Sequence, residues 1–600
     1  MTIGAEHERV SDLKRMIVVE AKSLTTPEGV DAIARLTKRR RLVLFLNVAT
    51  WALIVAVAVS IFSTGGWTLL STCMTLCLAL GAPWPVLGFW NAVIGLWQLH
   101  GKKGKAQAEK VFHAAAGDTS PLSAKTAVLM TLRNEDPARA LARLKTVKAS
   151  LDQTGQGKHF TYFVLSDSEQ PDLLLKEEEE IAAWQQSDTD SGRIIYRRRK
   201  DNSGFKAGNI REFARRWGAD YEFMLPLDAD SLMTGKAIVA LVRIMEKNPR
   251  IGILQSLVVG TPSSSAFARM FQFGMRLGMR TYTMGQAWWV GDCGPFWGHN
   301  ALVRIEPYLR HCAVDGLSKT GPILSHDQVE AVLMRKAGFE VRVLPVETGS
   351  YEDNPPDALE FMRRDARWCQ GNMQYLQLLG MRGIEPVSRF QLFWSVLMFI
   401  GAPAWTLLAA LLPLAMWQAQ AETDFPWHAV EIMYGALLLM HLAPKLAGII
   451  DAVLTPGEVS RFGGGLRFAS SAIIEIVFSL ILGAVVTIRT SIFMLGLLFG
   501  KGVVWNGQRR DGEGVAWSDA VRWLWPQFLF GLWLYVAIAL VSPAAALWSL
   551  PLTAGYVLAI PFVVFTASPA VGRFFRRHGI AGIPEDFAPP AEIRAMQARN

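Results

Sequence analysis

Cysteine is scarce in this sequence, with five residues in a chain of 600. No two of them form a Cys-x-x-Cys pair and none has a partnering histidine spacing, so neither a disulfide framework nor a zinc site is expected. Charged residues are also few, at 19%, while hydrophobic residues reach 51%. This balance argues against an ordinary cytosolic enzyme.

Other features of the composition exclude further classes of protein. The first forty residues lack an apolar core, so no cleavable signal peptide is expected and the N-terminus should stay in the cytoplasm. The 51 glycines and 29 prolines are too few for a collagenous or low-complexity chain. Basic residues outnumber acidic ones by 61 to 52, a net charge of +9, which fits a nucleic acid, an anionic membrane or an anionic substrate as partner.

Two uncharged runs, 42–62 and 67 to about 97, are long enough to cross a bilayer as helices. Basic residues precede the first run at 38–41 and follow the second at 102–105, so the positive-inside rule places both flanks in the cytoplasm. Hydrophobicity returns later in the chain, at 390–417, 428–450, 471–498, 521–540 and 550–565. We therefore predict a multi-pass membrane protein.

Counting each run once gives seven crossings, which would put the basic segments 501–510 and 573–577 outside. We therefore expect the long stretch from 471 to about 504 to turn back as two helices or a re-entrant hairpin. That gives about eight transmembrane helices with both chain ends inside. Glu475 and Arg489 in this stretch either line a polymer path or pair with each other.

Residues 121–385, between the membrane blocks, predict a cytoplasmic α/β domain, because charges are frequent and short β-rich runs alternate with helical patterns. Several predicted strands end in polar residues, as functional strands of open α/β sheets do. The strands are expected at 126–132, 160–165, 193–196, 222–227 and 251–258. The other predicted units are a segment at 1–41, two helices at 42–98, the helices at 389–567 with a basic loop at 500–520, and a tail at 568–600.

The strand at 222–227 runs into Asp228-Ala229-Asp230. Two carboxylates one residue apart at the end of a buried strand suit a hard divalent cation that also binds phosphate oxygens. The same tripeptide serves elsewhere as a turn or a helix cap. Its neighbours in the sequence favour the metal site.

Polar residues also follow the upstream strands: Asn134 and Glu135 come after the first, and Asp167 after the second. Lys206 lies in the glycine-containing segment 202–209, where a lysine can bind a phosphate as a point charge. Singly, Asn134, Glu135 and Lys206 are more typical of loops and caps. Together, residues at successive strand ends can converge on one nucleotide crevice.

Asp327 lies in the SHDQ segment at 325–328, ahead of a helical pattern. Ser325 and Gln328 can form a capping box there, and Asp327 at that fixed point can take a proton from an attacking hydroxyl. The RDARW segment at 364–368 follows, on an amphipathic stretch before the third membrane run. An arginine beside a tryptophan is equally common at a bilayer interface.

Taken in order, these motifs resemble those of the processive, inverting nucleotide-sugar glycosyltransferases, the family that includes the cellulose and hyaluronan synthases. Asp167 matches the family's first Asp, the Asp228 motif its Asp-x-Asp, Asp327 its Thr-Glu-Asp, and 364–368 its Gln-x-x-Arg-Trp. Ser-His stands in place of Thr-Glu, and Arg364 in place of the Gln. The resemblance implies a Rossmann-like GT-A fold, inserted here in a helical membrane domain.

A closer resemblance, throughout 121–385, is to the glucosyltransferase H subfamily of osmoregulated periplasmic glucan synthesis. It is carried by KAGNIREFARRWGADYEFMLPLDADS, GPFWGHNALVR, ILSHDQVEA and RRDARWCQGN. It implies glucose transfer from UDP-glucose to a growing β-1,2-linked glucan at the bacterial inner membrane. The implied partners are the glucan acceptor, the bilayer, a periplasmic glucan-processing protein and acyl carrier protein. No nucleic-acid partner is expected, since the clearest basic cluster abuts a membrane helix.

The resemblance also implies roles for individual residues. Asp327 is the general base, and Asp228 and Asp230 hold Mg²⁺ or Mn²⁺. The implied donor-binding residues are Asn134, Glu135, Asp167, Lys206, Asp228, Arg364 and Arg367. The implied acceptor-binding residues are Trp368, Phe296, Trp297 and Asn300, with aromatic faces against sugar rings; Trp297 fits a core position equally well.

The basic loop after 498 lies where related synthases have a gating loop over the donor site, which would give Lys501, Trp505, Gln508 and Arg509 that role. It lacks the usual gating sequence, and a solvated loop beside lipid headgroups explains it equally well. Two other functions stay open: transfer of a single sugar to a lipid phosphate, and synthesis of a different β-glucan. The sequence has no Gly-x-x-x-x-Gly-Lys-Ser/Thr phosphate loop of the kind expected in a transporter with a nucleotide-binding domain.

Overall fold

A computed structural model of the chain describes residues 27–101, 104–503 and 512–598. Its α/β domain is built on one eight-stranded sheet with the order β3-β2-β1-β4-β7-β6-β8-β5. The strands are β1 (Thr126–Leu132), β2 (Phe160–Ser166), β3 (Ile194–Arg198), β4 (Phe223–Asp228), β5 (Leu232–Met233), β6 (Ile251–Gly260), β7 (Ala301–Arg304) and β8 (Glu340–Glu352).

The helices fall into three groups along the chain: those before the sheet, those between its strands or directly after them, and those that follow the α/β domain. Those before it are α1 (Pro27–Phe62), α2 (Leu69–Gly81), α3 (Pro83–His100) and α4 (Gly104–Gly117). Those within the domain are α5 (Pro137–Gln153), α6 (Pro171–Ser187), α7 (Phe205–Trp217), α8 (Gly235–Lys247), α9 (Ala266–Val290), α10 (Ile305–His311), α11 (His326–Lys336) and α12 (Ala358–Gln374). Those after it are α13 (Pro386–Ala419), α14 (Trp427–Leu454), α15 (Glu458–Arg461), α16 (Gly465–Leu498), α17 (Trp517–Val541), α18 (Pro543–Trp548), α19 (Leu550–Val557), α20 (Ala559–Ala567), α21 (Pro569–His578), α22 (Pro584–Phe587) and α23 (Ala591–Gln597).

The predicted α/β fold is confirmed, and all five predicted strands are present within two residues of their expected ends. Strands β1 to β4 are parallel, and β7 runs antiparallel between β4 and β6. The sequence did not indicate β5, β7 or β8. The parallel half matters most for the site, because its carboxyl ends share one edge of the sheet.

The sheet is buried on both faces, as parallel sheets require. Residues of β1 alternate between two hydrophobic cores: Val128 and Met130 face the core shared with α5 and α8, whereas Ala127 and Leu129 face the core shared with α7 and α11. This double burial fixes the register of β1 and hence the positions of the loops that follow it.

Helix α9 docks the domain on the membrane block by direct contact of its backbone with α3. A β-carbon on Gly95 would lie 1.8 Å from the carbonyl oxygen of Thr281, and one on Gly285 would lie 2.0 Å from that of Asn91. The two glycines therefore permit an approach that any other residue would prevent. Trp289 Nε1 also donates to Asn91 Oδ1 at 2.9 Å.

Six helices in the described residues are long and apolar enough to cross a membrane, or seven if the bent pair α19 and α20 is one span. They are 31–62, 69–100, 386–419, 427–454, 465–498 and 517–541. The prediction of about eight helices is therefore wrong. It failed at α16, which has no proline to break it and continues as one helix over 34 residues.

Both ends of α16 nevertheless contact the α/β domain or its tail. Near its start, Ala581 N–H donates to Ser471 Oγ at 2.8 Å; just past its end, Val503 N–H donates to Gln370 Oε1 at 2.7 Å.

The C-terminal tail is tied to the domain by buried ion pairs. Arg276 of α9 lies between Glu347 of β8 and Glu585 of the tail, and Arg269 pairs with Asp586 at 2.9 Å. Although burial opposes it, the arginines lower the pKa of Glu347 to about 2. The tail thus joins the membrane helices to the sheet.

Candidate functional site

The polar residues predicted at the strand ends meet at one edge of the sheet. Register pairs Leu132 of β1 with Ser166 of β2, and Thr131 with Asp228 of β4. Asn134, Asp167 and Asp228 therefore follow three adjacent parallel strands, and their loops adjoin.

Asp167 is held in this edge by an arginine that the sequence did not single out. Arg199 Nε and Nη2 donate to Asp167 Oδ1 and Oδ2 at 2.8 and 2.6 Å, and the two side chains are 5% and 4% exposed. Burial raises the pKa of Asp167 against the opposing effect of Arg199. The only sequence signal for Arg199 is the basic run at the end of β3.

Replacing Arg199 with leucine should destabilise the fold by about 3 kcal/mol, because it leaves a buried carboxylate without its partner. The pKa of Asp167 would rise further in the folded state, so the deficit should be larger at about pH 7 than at about pH 5. Thermal unfolding in detergent measures this. The exposed neighbour Arg198→Leu is the control, and equal stability of the two variants would contradict the pairing.

Asn134 organises the loops between β1 and β2. It adopts a positive φ of 54°, its N–H donates to Ser168 Oγ at 2.9 Å, and its Oδ1 accepts from the N–H of Glu169 at 2.9 Å. The amide oxygen therefore binds the protein's own backbone. Glu135 lies half-buried in the same turn.

Asp228 and Lys206 form an ion pair between β4 and the first turn of α7. Asp228 N–H also donates to Ser231 Oγ at 3.1 Å, which shapes the tight turn that contains Asp230. Asp230 is buried, 6% exposed. Both carboxylates of the predicted cation site thus lie at the edge reached by Lys206.

These two carboxylates fit a divalent cation that takes its other ligands from water and phosphate oxygens, as Mg²⁺ commonly does. The described residues contain no cluster of three or more His, Cys, Asp or Glu side chains able to enclose a metal ion. Asp228 is paired with the ammonium of Lys206.

Asp327 lies in the first turn of α11, which begins where predicted. The predicted capping box is wrong, because Ser325 makes no side-chain cap hydrogen bond; α12 packs against it closely at Gly371. Asp327 faces Gly298, where an added β-carbon would lie 3.3 Å from the Asp327 β-carbon. Gly298 has φ +80°, so glycine suits both the space and the backbone.

His326, which replaces the family's glutamate, is buried and lies 3.1 Å from Glu330 Oε1. Burial alone would lower its pKa, but Glu330 and Asp327 raise it above the ordinary value. The charge of Lys206 acts on His326 in the opposite direction.

The RDARW segment lies on α12 and presents its residues to different neighbours. The Arg364 guanidinium lies 4.6 Å from the centre of the Trp368 ring, and Trp368 is 43% exposed. Arg367 lines a cavity of about 820 Å³ with Arg489 and Trp523. Trp368 is therefore partly exposed, with Arg364 over one face of its ring.

Two of the four predicted acceptor residues are not open to a ligand. Phe296 is 3% exposed and packs in the hydrophobic core. Asn300 is fully buried, and its Nδ2 donates to Ser350 Oγ at 2.9 Å and to the carbonyl oxygen of Tyr351 at 3.1 Å. The prediction for these two is corrected: their loop is folded into the sheet. Trp297 is half-buried.

The predicted gating loop is only partly described. Lys501 is exposed, and the next residues bind Gln370 of α12; Trp505, Gln508 and Arg509 lie outside the described residues. The expectation that Glu475 and Arg489 pair with each other is wrong. Glu475 pairs with Lys445 of α14, and Arg489 stacks on Trp523 with its guanidinium 4.4 Å from the ring centre.

Comparison with known proteins gives two matches to family models. Residues 127–311 match the model for glycosyl transferase family 2, and residues 223–443 match that for glycosyl transferase family group 2. Apart from Thr126, the two ranges together cover all eight strands: β1 to β3 lie in the first range alone, β8 in the second alone, and β4 to β7 in both.

Named relatives match over most of the chain. A glucans biosynthesis glucosyltransferase H of Xanthomonas campestris pv. campestris is 35% identical over 572 residues, 92% of this chain and 87% of the relative. The protein of the same name from Xanthomonas euvesicatoria pv. vesicatoria is 35% identical over 595 residues, 96% and 91% of the two chains. The one from Pseudomonas paraeruginosa is 34% identical, over 85% of this chain and 61% of the relative.

Among solved structures, a mannosyltransferase from Pyrobaculum calidifontis, in complex with GDP-mannose and Mn²⁺, aligns with a TM-score of 0.38 at 14% identity. The alignment covers 61% of this chain and 99% of that one.

Proposed function

The chain belongs to the glucans biosynthesis glucosyltransferase H family, a GT-A glycosyltransferase group, and from this premise we propose that it polymerises glucose from UDP-glucose into a β-1,2-linked glucan. The observation that carries the proposal is the position of Lys206. It pairs with Asp228, whose N–H donates to Ser231 Oγ; that oxygen lies 3.3 Å from His299 Nδ1, and the preceding residue, Gly298, packs against Asp327. We infer that Lys206 and Asp327 act on the same pair of substrates, Lys206 on the donor phosphates and Asp327 on the acceptor hydroxyl.

The proposed reaction is a single displacement. Asp327 accepts the proton of an acceptor hydroxyl, whose oxygen then forms a bond to the anomeric carbon of the donor glucose. The bond from that carbon to the diphosphate oxygen breaks, UDP leaves with the electron pair, and the α-linked donor becomes a β-linked product. One displacement needs only one base.

The chain's own cations would favour departure of the diphosphate. Lys206 stabilises negative charge on the phosphate oxygens as a point charge. The guanidinium of Arg367, in the RDARW segment, is assigned the same stabilising role. Asp228 and Asp230 are the residues that would hold Mg²⁺ or Mn²⁺, which supplies Lewis-acid stabilisation of the leaving group when bound. Asp167, fixed by Arg199, would contact the nucleoside.

The membrane helices suggest where the product goes. A cavity of about 960 Å³ lies among them, lined by aromatic residues that can stack on sugar rings. These residues are Trp405, Trp417, Trp427, Tyr434 and Tyr556. We infer that the glucan crosses the bacterial inner membrane here, with the α/β domain on the cytoplasmic side.

Incubation of the purified, full-length protein with radiolabelled UDP-glucose tests the donor and the reaction type. Label should enter water-soluble oligosaccharides, whereas labelled GDP-mannose should stay unused. Equal use of both donors, or label found only in a lipid extract, would contradict the proposal.

A further inference from the structure

A line of side-chain contacts runs from the carboxylate motif of β4 toward α12. Asp228 N–H donates to Ser231 Oγ at 3.1 Å, and the same oxygen lies 3.3 Å from His299 Nδ1. His299 is buried, 8% exposed. It follows Gly298, which packs against Asp327.

The line continues on the other side of His299. His299 Nε2 lies 3.3 Å from Glu352 Oε2, at the end of β8. Arg364 Nη2 lies 3.9 Å from the same carboxylate oxygen, and the Arg364 guanidinium covers the Trp368 ring at 4.6 Å. The contacts therefore join the backbone of Asp228 to the Trp368 ring.

One tautomer of His299 fits both of these contacts. Ser231 Oγ accepts from Asp228 N–H, so its own hydrogen is available to His299 Nδ1. With the ring hydrogen on Nε2, His299 Nδ1 accepts from Ser231 and Nε2 faces Glu352 Oε2 at 3.3 Å. Glu352 then meets a donor on each side, His299 and Arg364.

We propose that His299 and Glu352 are positioning residues. They hold Arg364, and through it Trp368, in a fixed position relative to Asp228. Nothing else assigns a role to either residue. The proposal rests on the proposed function in one respect, that Trp368 is the surface on which the acceptor sugar stacks. It also explains why arginine stands at 364 where the wider family has glutamine, since a guanidinium can pair with a carboxylate and cover a ring at once.

The backbone around His299 is fixed independently of its imidazole. Gln255 Nε2 donates to the carbonyl oxygen of His299 at 3.1 Å, and Asn300 N–H donates to that of Pro226 at 2.9 Å. A change of the His299 side chain should therefore leave the loop folded, so that loss of positioning can be separated from loss of structure.

Four variants of the full-length protein in nanodiscs test the proposal: His299→Asn, His299→Gln, Glu352→Gln and, as control, Glu340→Gln at the other end of β8. Asparagine can replace Nδ1 but does not reach Glu352, whereas glutamine can still donate to it. Transfer to a soluble glucan oligosaccharide, UDP-glucose affinity, melting temperature and amide hydrogen exchange of 358–374 are measured.

We expect His299→Asn and Glu352→Gln to lower kcat/KM for the acceptor by about 10- to 100-fold, because a misplaced acceptor reacts slowly. UDP-glucose Kd should stay within about twofold, the melting temperature should not change, and exchange of 358–374 should rise. His299→Gln should resemble the wild type and the control.

If both His299 variants lost the same factor in kcat/KM for the acceptor and both had a lowered melting temperature, the imidazole would contribute only packing. That result would overturn the proposal. Weaker donor binding with normal acceptor kinetics would also overturn it. If the wild type transfers nothing from UDP-glucose, the proposed function fails instead, and hydrogen exchange of α12 still decides whether the two residues position it.

Discussion

Replacing Asp327 with asparagine is expected to lower kcat for glucose transfer by about 10³-fold while UDP-glucose binding stays nearly intact. The carboxylate is the group assigned to take the acceptor proton, and asparagine keeps its size but not its basicity. Such a loss corresponds to about 4 kcal/mol of transition-state stabilisation. Asp327 is a first-turn residue of α11 and not its N-cap, and its side chain faces Gly298. The fold should therefore be unchanged.

The measurement pairs steady-state transfer with UDP-glucose affinity on the same preparation. Asp172→Asn, the same chemical change on the exposed first turn of α6, is the matched control and should behave as wild type. Transfer by Asp327→Asn at more than a tenth of the wild-type rate would remove Asp327 from the role of base.

Replacing Asp228 with asparagine should reduce transfer by about 10²- to 10³-fold, and unlike the Asp327 variant it should also weaken donor binding. The change removes one of two carboxylates suited to a divalent cation and leaves Lys206 without its partner. Chelation of divalent cations should stop the wild-type reaction, and added Mg²⁺ or Mn²⁺ should restore it.

Titration of activity with Mg²⁺ separates the two effects. The Asp228→Asn variant should need more metal for half-maximal activity, whereas Asp220→Asn, exposed before the other end of β4, should titrate as wild type. Full activity in excess chelator would rule out the assigned cation site.

Local sequence patterns predicted those elements whose residues follow a short, regular apolar and polar pattern. The parallel strands β1 to β4 are short apolar runs with polar ends, so their positions and the convergence of Asp167 and Asp228 at one edge could be predicted. The same patterns missed β7, which has four residues, and α9, whose arginines obscure its role as the docking helix.

The partners of buried charges could not be predicted, because they come from distant parts of the chain. Arg199 meets Asp167 across 32 residues, and Glu475 meets Lys445 rather than Arg489. His299 and Glu352 gave no signal because their contacts form only after β8 joins the sheet. Phe296 was misjudged because a sequence does not distinguish an aromatic ring in the core from one that faces a ligand.

The most direct test of the central claim is linkage analysis of the product that the purified, full-length protein makes from labelled UDP-glucose in proteoliposomes. A polymerising glucosyltransferase of this family should yield oligosaccharides in which β-1,2-linked glucose predominates. A single glucosyl group on an extractable lipid, or a glucan with another linkage, would contradict it.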